Sequence, residues 1–103
     1  MKNKFGLLNE DVEKIIKVFK NQPKVQSALI FGSRAKGNFK PGSDVDLVLK
    51  GTELDFGIVN QISYWLNEET TMPYKFDVLD YKSITETDLV EHIDKVGIEI
   101  FNR

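Results

Sequence analysis

Apolar residues recur along this chain with two different periods, and the alternation between them predicts a mixed α/β fold. Val12, Ile15, Ile16 and Phe19 stand at helical spacing, one narrow stripe with Lys14, Lys17 and Lys20 lying away from it. This predicts a helix over about 10–21. Asn9 is its expected N-cap, Glu10 and Asp11 fill the first turn, and Asn21-Gln22-Pro23 ends it. Residues 1–8 read as a loose lead-in. The run from Val25 to Phe31 predicts a strand, and 33–36 a single helical turn. Gly37-Asn38 and Pro41-Gly42 are turn pairs, the second in the order a type II turn uses. A second strand is expected over 44–49, ending at Lys50-Gly51-Thr52.

A helix over 55–67 follows, with Ile58, Val59, Ile62, Trp65 and Leu66 on its stripe, so Trp65 reads as core. Phe56 and Tyr64 fall off that stripe by roughly a quarter turn or more, at 100° per residue. After a loop over 68–73, Tyr74 to Leu79 predicts the third strand. Ser83 and Glu86 spell a capping box, with Thr85 and Thr87 as alternative caps. The last helix, to about Lys95, presents Leu89, Val90, Ile93 and Val96. His92, the one histidine, reads as a surface residue off that stripe. Gly97 stops the helix, and 98–101 reads as a short terminal strand.

Composition narrows the class of protein. A chain of 103 residues is expected to form one domain over 1–103. Its net charge of −2 argues against a protein whose main task is gripping nucleic acid. The absence of cysteine removes disulfides and thiolate metal sites, and fits a reducing cytoplasm. No apolar run is long enough to span a bilayer, and the start, MKNKFGLLNED, has no signal-peptide apolar segment.

Candidate chemistry gathers in FGSRAKGNFKPGSDVDLVL, residues 31–49. Asp44 and Asp46 are two apart in a predicted strand, so both project from one face, with Cα atoms about 7 Å apart. Paired carboxylates of this kind form an oxygen platform for Mg²⁺, which takes one or two carboxylates and completes its shell with substrate phosphates. Gly32-Ser33 closes the preceding strand, and Arg34, Lys36 and Lys40 follow with no acid among them. A helical turn there would aim amides at an anion. Acids for a metal, with amides and cations for phosphate, suit nucleotide chemistry. For Gly32-Ser33 and Asp44-Val45-Asp46 to meet at one ligand, the first two strands must be antiparallel. The helix between the second and third strands argues for a parallel, right-handed crossover.

Gly32-Ser33, ten intervening residues, then Asp44-x-Asp46 resembles the signature of the minimal nucleotidyltransferases of the DNA polymerase β superfamily. Element order and length resemble the family along the whole chain. The resemblance implies a nucleotidyltransferase fold of class α/β (α+β), ordered α-β-(α)-β-α-β-α, with helices on a small mixed sheet. It implies that Gly32 and Ser33 hold nucleotide phosphates, with Arg34 and Lys36 as further phosphate candidates and Lys40 a weaker one. It implies that Asp44 and Asp46 bind Mg²⁺ or Mn²⁺, joined by a third carboxylate on the next strand. Asp77 and Asp80 both qualify for that place and face opposite sides of a strand containing both. Asp77, between Phe76 and Val78, is the favoured one, because an unpaired acid inside an apolar run is otherwise costly.

The implied reaction is transfer of AMP from ATP to a hydroxyl, with Asp44, Asp46 and Asp77 catalytic. The chain shows no acceptor-binding domain of the kind larger relatives carry, so a partner is expected to supply the acceptor. Minimal members of the family pair with helical HEPN toxins and modify a tyrosine on them, which implies an antitoxin here. Phe56 and Tyr64 are then candidates for a partner-facing patch. The competing expectation is a binding module that neutralises its partner by contact. Transfer to a small antibiotic-type molecule is disfavoured by the missing acceptor domain.

Overall fold

Four strands build one mixed sheet in the spatial order β3-β2-β1-β4, and helices cover both of its faces. A computed structural model describes residues 2–103. Helix α1 spans Asn9–Lys20, β1 Ser27–Phe31, α2 Gly32–Lys36 and β2 Val45–Lys50. Helix α3 spans Phe56–Tyr64 and continues as a wider π-type turn, Trp65–Glu69. Strand β3 spans Phe76–Asp80, a 3₁₀ turn covers Tyr81–Ser83, α4 runs Thr87–Val96 and β4 Ile98–Asn102. Strand β1 is antiparallel to β2 and to β4, whereas β2 and β3 are parallel. Both expected strand relations hold.

The period of two along the strands sorts side chains between two cores. Val45, Leu47 and Leu49 of β2, with Ala28 and Ile30 of β1 and Phe76 of β3, face α1 and α3. There they meet Ile15, Phe19, Val59, Ile62 and Leu66. On the opposite face Phe31 and Val48 pack with Ile93 of α4, flanked by Leu29, Leu79 and Leu89. Asp46 and Asp77 lie one position from Leu47 and Phe76, so the same alternation sends them to the α4 face. Arg103 closes the fold at the far end. Its guanidinium donates to the carbonyls of Phe19, Lys20, Gln22 and Val25, supplying the last turn of α1 with donors its backbone lacks.

Several local expectations are corrected. The lead-in is not loose: Phe5 and Leu7 are buried core residues, Lys2 and Leu8 form a β-bridge, and the Asn3 side chain accepts from the amides of Phe5 and Leu7. Two large apolar side chains in seven residues are enough to hold this segment on the core. Leu8 rather than Asn9 occupies the N-cap of α1, and the Asn9 side chain accepts from Asn3 instead. The Pro41-Gly42 turn is closed by the Ser43 amide donating to the Lys40 carbonyl, but Gly42 lacks a positive φ, so the turn is not type II. No capping box forms, because Ser83 belongs to the 3₁₀ turn and α4 begins at Thr87.

Trp65 is 50% exposed rather than core. The buried arc of this helix is Val59, Ile62 and Leu66, and Trp65 sits roughly a quarter turn from its centre, where an indole overhangs the stripe. Phe56 and Tyr64 are exposed, as their spacing indicated. Among the described residues, no helix is long and apolar enough to cross a membrane.

Candidate active site

The site forms where β1 turns into α2 beside the start of β2. Gly32, the first residue of α2, has φ +70°, a left-handed conformation that only glycine adopts without penalty. A Cβ at this position would collide with Asp46 Oδ2, so glycine is also required for the carboxylate to approach the backbone this closely. Helix α2 is five residues long and its N-cap, Phe31, offers no side-chain cap. First-turn amides have no partner within their own helix, and Ser33 sits in that turn with its side chain half-buried. The sharp turn therefore presents a hydroxyl and amide groups next to an acid.

Two carboxylates, Asp46 and Asp77, stand on the α4 face, with Asp44 close by in sequence. Asp46 is the register partner of Phe31 on one side and of Asp77 on the other, and Asp44 precedes β2 directly. Partners in a parallel pair share a face, so Asp46 and Asp77 stand side by side. The Asp46 carboxyl is pushed above its ordinary value of 3.8. Burial is the largest cause, followed by repulsion from Asp77 and then Asp44, while the Arg34 cation acts in the opposite direction. Like charges gathered at one carboxyl form an arrangement that a cation would relieve.

These residues fit a divalent ion that arrives with its substrate. Among the described residues, no three His, Cys, Asp or Glu side chains are grouped as a ready-made chelate. Mg²⁺ does not require one, because it commonly takes one or two carboxylates and completes its shell with water and substrate phosphates. Asp46 and its neighbours Asp44 and Asp77 are the residues that would hold it.

Of the two acids on β3, Asp80 is already engaged. Its side chain accepts from the Lys82 amide, from Lys82 Nζ at 2.7 Å and from Ser83 Oγ, fixing the 3₁₀ turn. Asp77 is exposed beside Asp46. Lys36 is exposed at the end of α2, and Lys40 is exposed in the following loop.

Two expectations about this region are corrected. Arg34 does not face phosphate. It is 2% exposed, and its guanidinium donates to the carbonyls of Phe5 (2.9 Å), Gly6 (3.4 Å) and Ser43 (2.8 and 3.2 Å). Its charge lies against the rings of Phe39 and Tyr74, at 5.2 and 5.3 Å from their centroids. Helical geometry turns this side chain inward from α2, where it braces the lead-in and the 40–43 turn. His92, expected at the surface, instead reaches the site from α4. Its Nε2 accepts from the Gly32 amide at 3.2 Å, and its ring meets Phe31 edge-on at 6.1 Å. The signal was present in its spacing: His92 is three residues after Leu89 and four before Val96, on the edge of the buried stripe.

Comparison with protein families gives a match over residues 13–103 to the family described as polymerase beta, nucleotidyltransferase. Sequence comparison with curated proteins gives no match. Among solved structures, a mutant of the toxin-antitoxin MntA-HpeT is similar at 26% identity and a TM-score of 0.72, over 93% of this chain and 74% of that one. A toxin-antitoxin with AMP-PNP is similar at 22% identity and a TM-score of 0.72, over 94% and 75% of the two chains. A tri-AMPylated HEPN toxin in complex with MNT antitoxin, from Shewanella oneidensis, gives 23% identity and a TM-score of 0.69, over 92% and 72%.

Proposed function

Because the chain belongs to the polymerase beta nucleotidyltransferase family, we propose that it transfers AMP from ATP to a tyrosine hydroxyl of a HEPN-type helical toxin, acting as its antitoxin in the cytoplasm. The observation that carries this reading is the meeting of Asp46 with Gly32 and with Asp77 on one face of the sheet, Asp44 standing directly before β2. The likeness to a complex whose HEPN toxin carries AMP supports the acceptor class. The likeness to a complex holding AMP-PNP supports ATP as donor.

Bound Mg²⁺ or Mn²⁺ would supply charge neutralisation at the phosphates and at the attacking oxygen, as in two-metal transfer. The chain's own residues have separable tasks. Asp44 and Asp46, with Asp77 beside them, would hold the cation. Ser33, through its hydroxyl and amide, grips the β- or γ-phosphate, and Lys36 adds a mobile positive charge to the departing group. The tyrosine oxygen attacks the α-phosphorus, the bond from that phosphorus to the bridging oxygen breaks, and pyrophosphate leaves. Asp77 accepts the proton of the attacking hydroxyl, which places it on the acceptor side of the site.

Intact mass spectrometry tests the reading. The protein mixed with a HEPN-type partner, ATP and Mg²⁺ should leave the partner heavier by whole AMP units, and excess chelator should prevent the gain. The exposed Phe56, Tyr64 and Trp65 favour contact with another chain whether or not transfer occurs. A partner that is bound and neutralised yet gains no mass would therefore select the binding-module reading over the enzyme.

A further inference from the structure

We propose that His92 is a positioning residue, which fixes the Phe31-Gly32 peptide and through it keeps the nucleotide-binding turn in register with Asp46. The inference rests on the nucleotide-binding reading above. It adds a residue from a different element, sixty positions away in sequence, with no contact to substrate assigned to it.

Gly32 stands at the most constrained point of the site. Its φ of +70° is held only by surroundings, since glycine itself has no preference for it over other conformations. Its Cα abuts Asp46, which leaves no space for a Cβ. A small rotation of the Phe31-Gly32 peptide would therefore open or close the gap to Asp46 and swing Ser33 with it. Within β1, the ladder to β2 ends at the Phe31 and Asp46 partnership, so Gly32 has no strand partner. The described hydrogen bond of the Gly32 amide goes to His92 Nε2, at 3.2 Å. In the neutral ring, an accepting Nε2 places the proton on Nδ1.

The imidazole is itself well seated. Ile93, the next residue, is 1% exposed and packs with Phe31 and Val48, which anchors α4 to this face. The His92 ring meets Phe31 edge-on at 6.1 Å, so the same side chain touches both residues that flank the peptide it holds. A ring clamped by a packed helix and accepting one amide sets the orientation of that amide. Misplacement of a binding group by about 1 Å costs on the order of 100-fold in a reacting site.

Two variants and one spectroscopic measurement test this. His92→Phe keeps a planar ring against Phe31 and removes the acceptor. His92→Gln places a carbonyl oxygen near the position of Nε2 and keeps the acceptor. Binding is read by calorimetry with Mg²⁺ and α,β-methylene-ATP, which cannot undergo transfer at the α-phosphorus. His92→Phe should weaken binding about tenfold, the equivalent of one hydrogen bond's worth of positioning, and His92→Gln should recover most of it. In the metal-free wild type, a scalar coupling between the ¹⁵N of Gly32 and Nε2 of His92 should report the bond directly.

Tight binding by His92→Phe, or absence of the coupling, overturns the inference. So does a folded His92→Gln that binds no better than His92→Phe. Should His92→Phe fail to fold, the coupling together with the affinity of His92→Gln decides. Wild-type protein that binds the analogue with these properties but never transfers AMP overturns the proposed reaction and leaves the role of His92 standing.

Discussion

Replacing Arg34 separates a structural brace from a phosphate ligand more sharply than any other change in this chain. The guanidinium donates four hydrogen bonds to three backbone carbonyls, those of Phe5, Gly6 and Ser43. Arg34→Met preserves length and removes every donor. Each hydrogen bond from a charged donor contributes about 1.5–3 kcal/mol, and a buried acceptor left without a donor costs about 1–3 kcal/mol. These contributions overlap, and burying methionine avoids desolvating a cation, so their simple sum overstates the loss. With these offsets, the carbonyls left without donors set an expected net loss of about 3–5 kcal/mol.

For a domain of this size that corresponds to a fall in Tm of roughly 15–30 °C. Arg34→Lys keeps the charge but presents a point donor on a flexible stem to three carbonyls, and should lose about half as much. Urea unfolding followed by far-UV circular dichroism measures both variants. If Arg34→Met unfolds within about 1 kcal/mol of wild type while nucleotide affinity drops, the brace is refuted and Arg34 is a phosphate ligand after all.

Three further variants read the carboxylates. The folded-state pKa of Asp46 is raised, so the folded state keeps a proton that the unfolded state releases, and stability from this group falls as pH rises from its ordinary 3.8 through the raised value. Asp46→Asn should therefore melt higher than wild type at neutral pH without metal, lose that part of the pH dependence, and abolish transfer; a lower Tm would contradict the repulsion described above. Asp77→Asn should cut single-turnover transfer by a factor of about 100 or more with little change in Tm, whereas Asp80→Asn should lower Tm by loosening the 3₁₀ turn and leave the rate nearly intact. The reverse assignment would place the acceptor-side acid at Asp80.

Much of the scaffold was readable because it is written in short-range periods. The stripe Val12, Ile15, Ile16, Phe19 and the alternation Val45, Leu47, Leu49 each decide which face is buried from a window of a few residues. The glycine at position 32 and the acids at 44 and 46 were also visible locally, as a turn and as two acids around the start of a strand. Their role in binding remains the proposal argued above. The order of strand directions followed once those two stretches were required to meet.

What the sequence left open were contacts between distant segments. Asp77 and Asp80 could not be assigned neighbours from β3 alone; the parallel register with β2 puts Asp77 beside Asp46, and the 3₁₀ turn absorbs Asp80. Arg34 lies in a run of cations that reads as solvated or phosphate-facing. Its burial depends on carbonyls 29, 28 and 9 positions away, which no local pattern encodes. His92 gained its place because α4 folds back over β1 and delivers a ring to the Gly32 amide. Periodicity determines which side of an element is apolar, since that depends on backbone geometry common to all chains. Which polar group meets which across the sheet depends on register and on how elements are laid over one another, and those are properties of the tertiary structure.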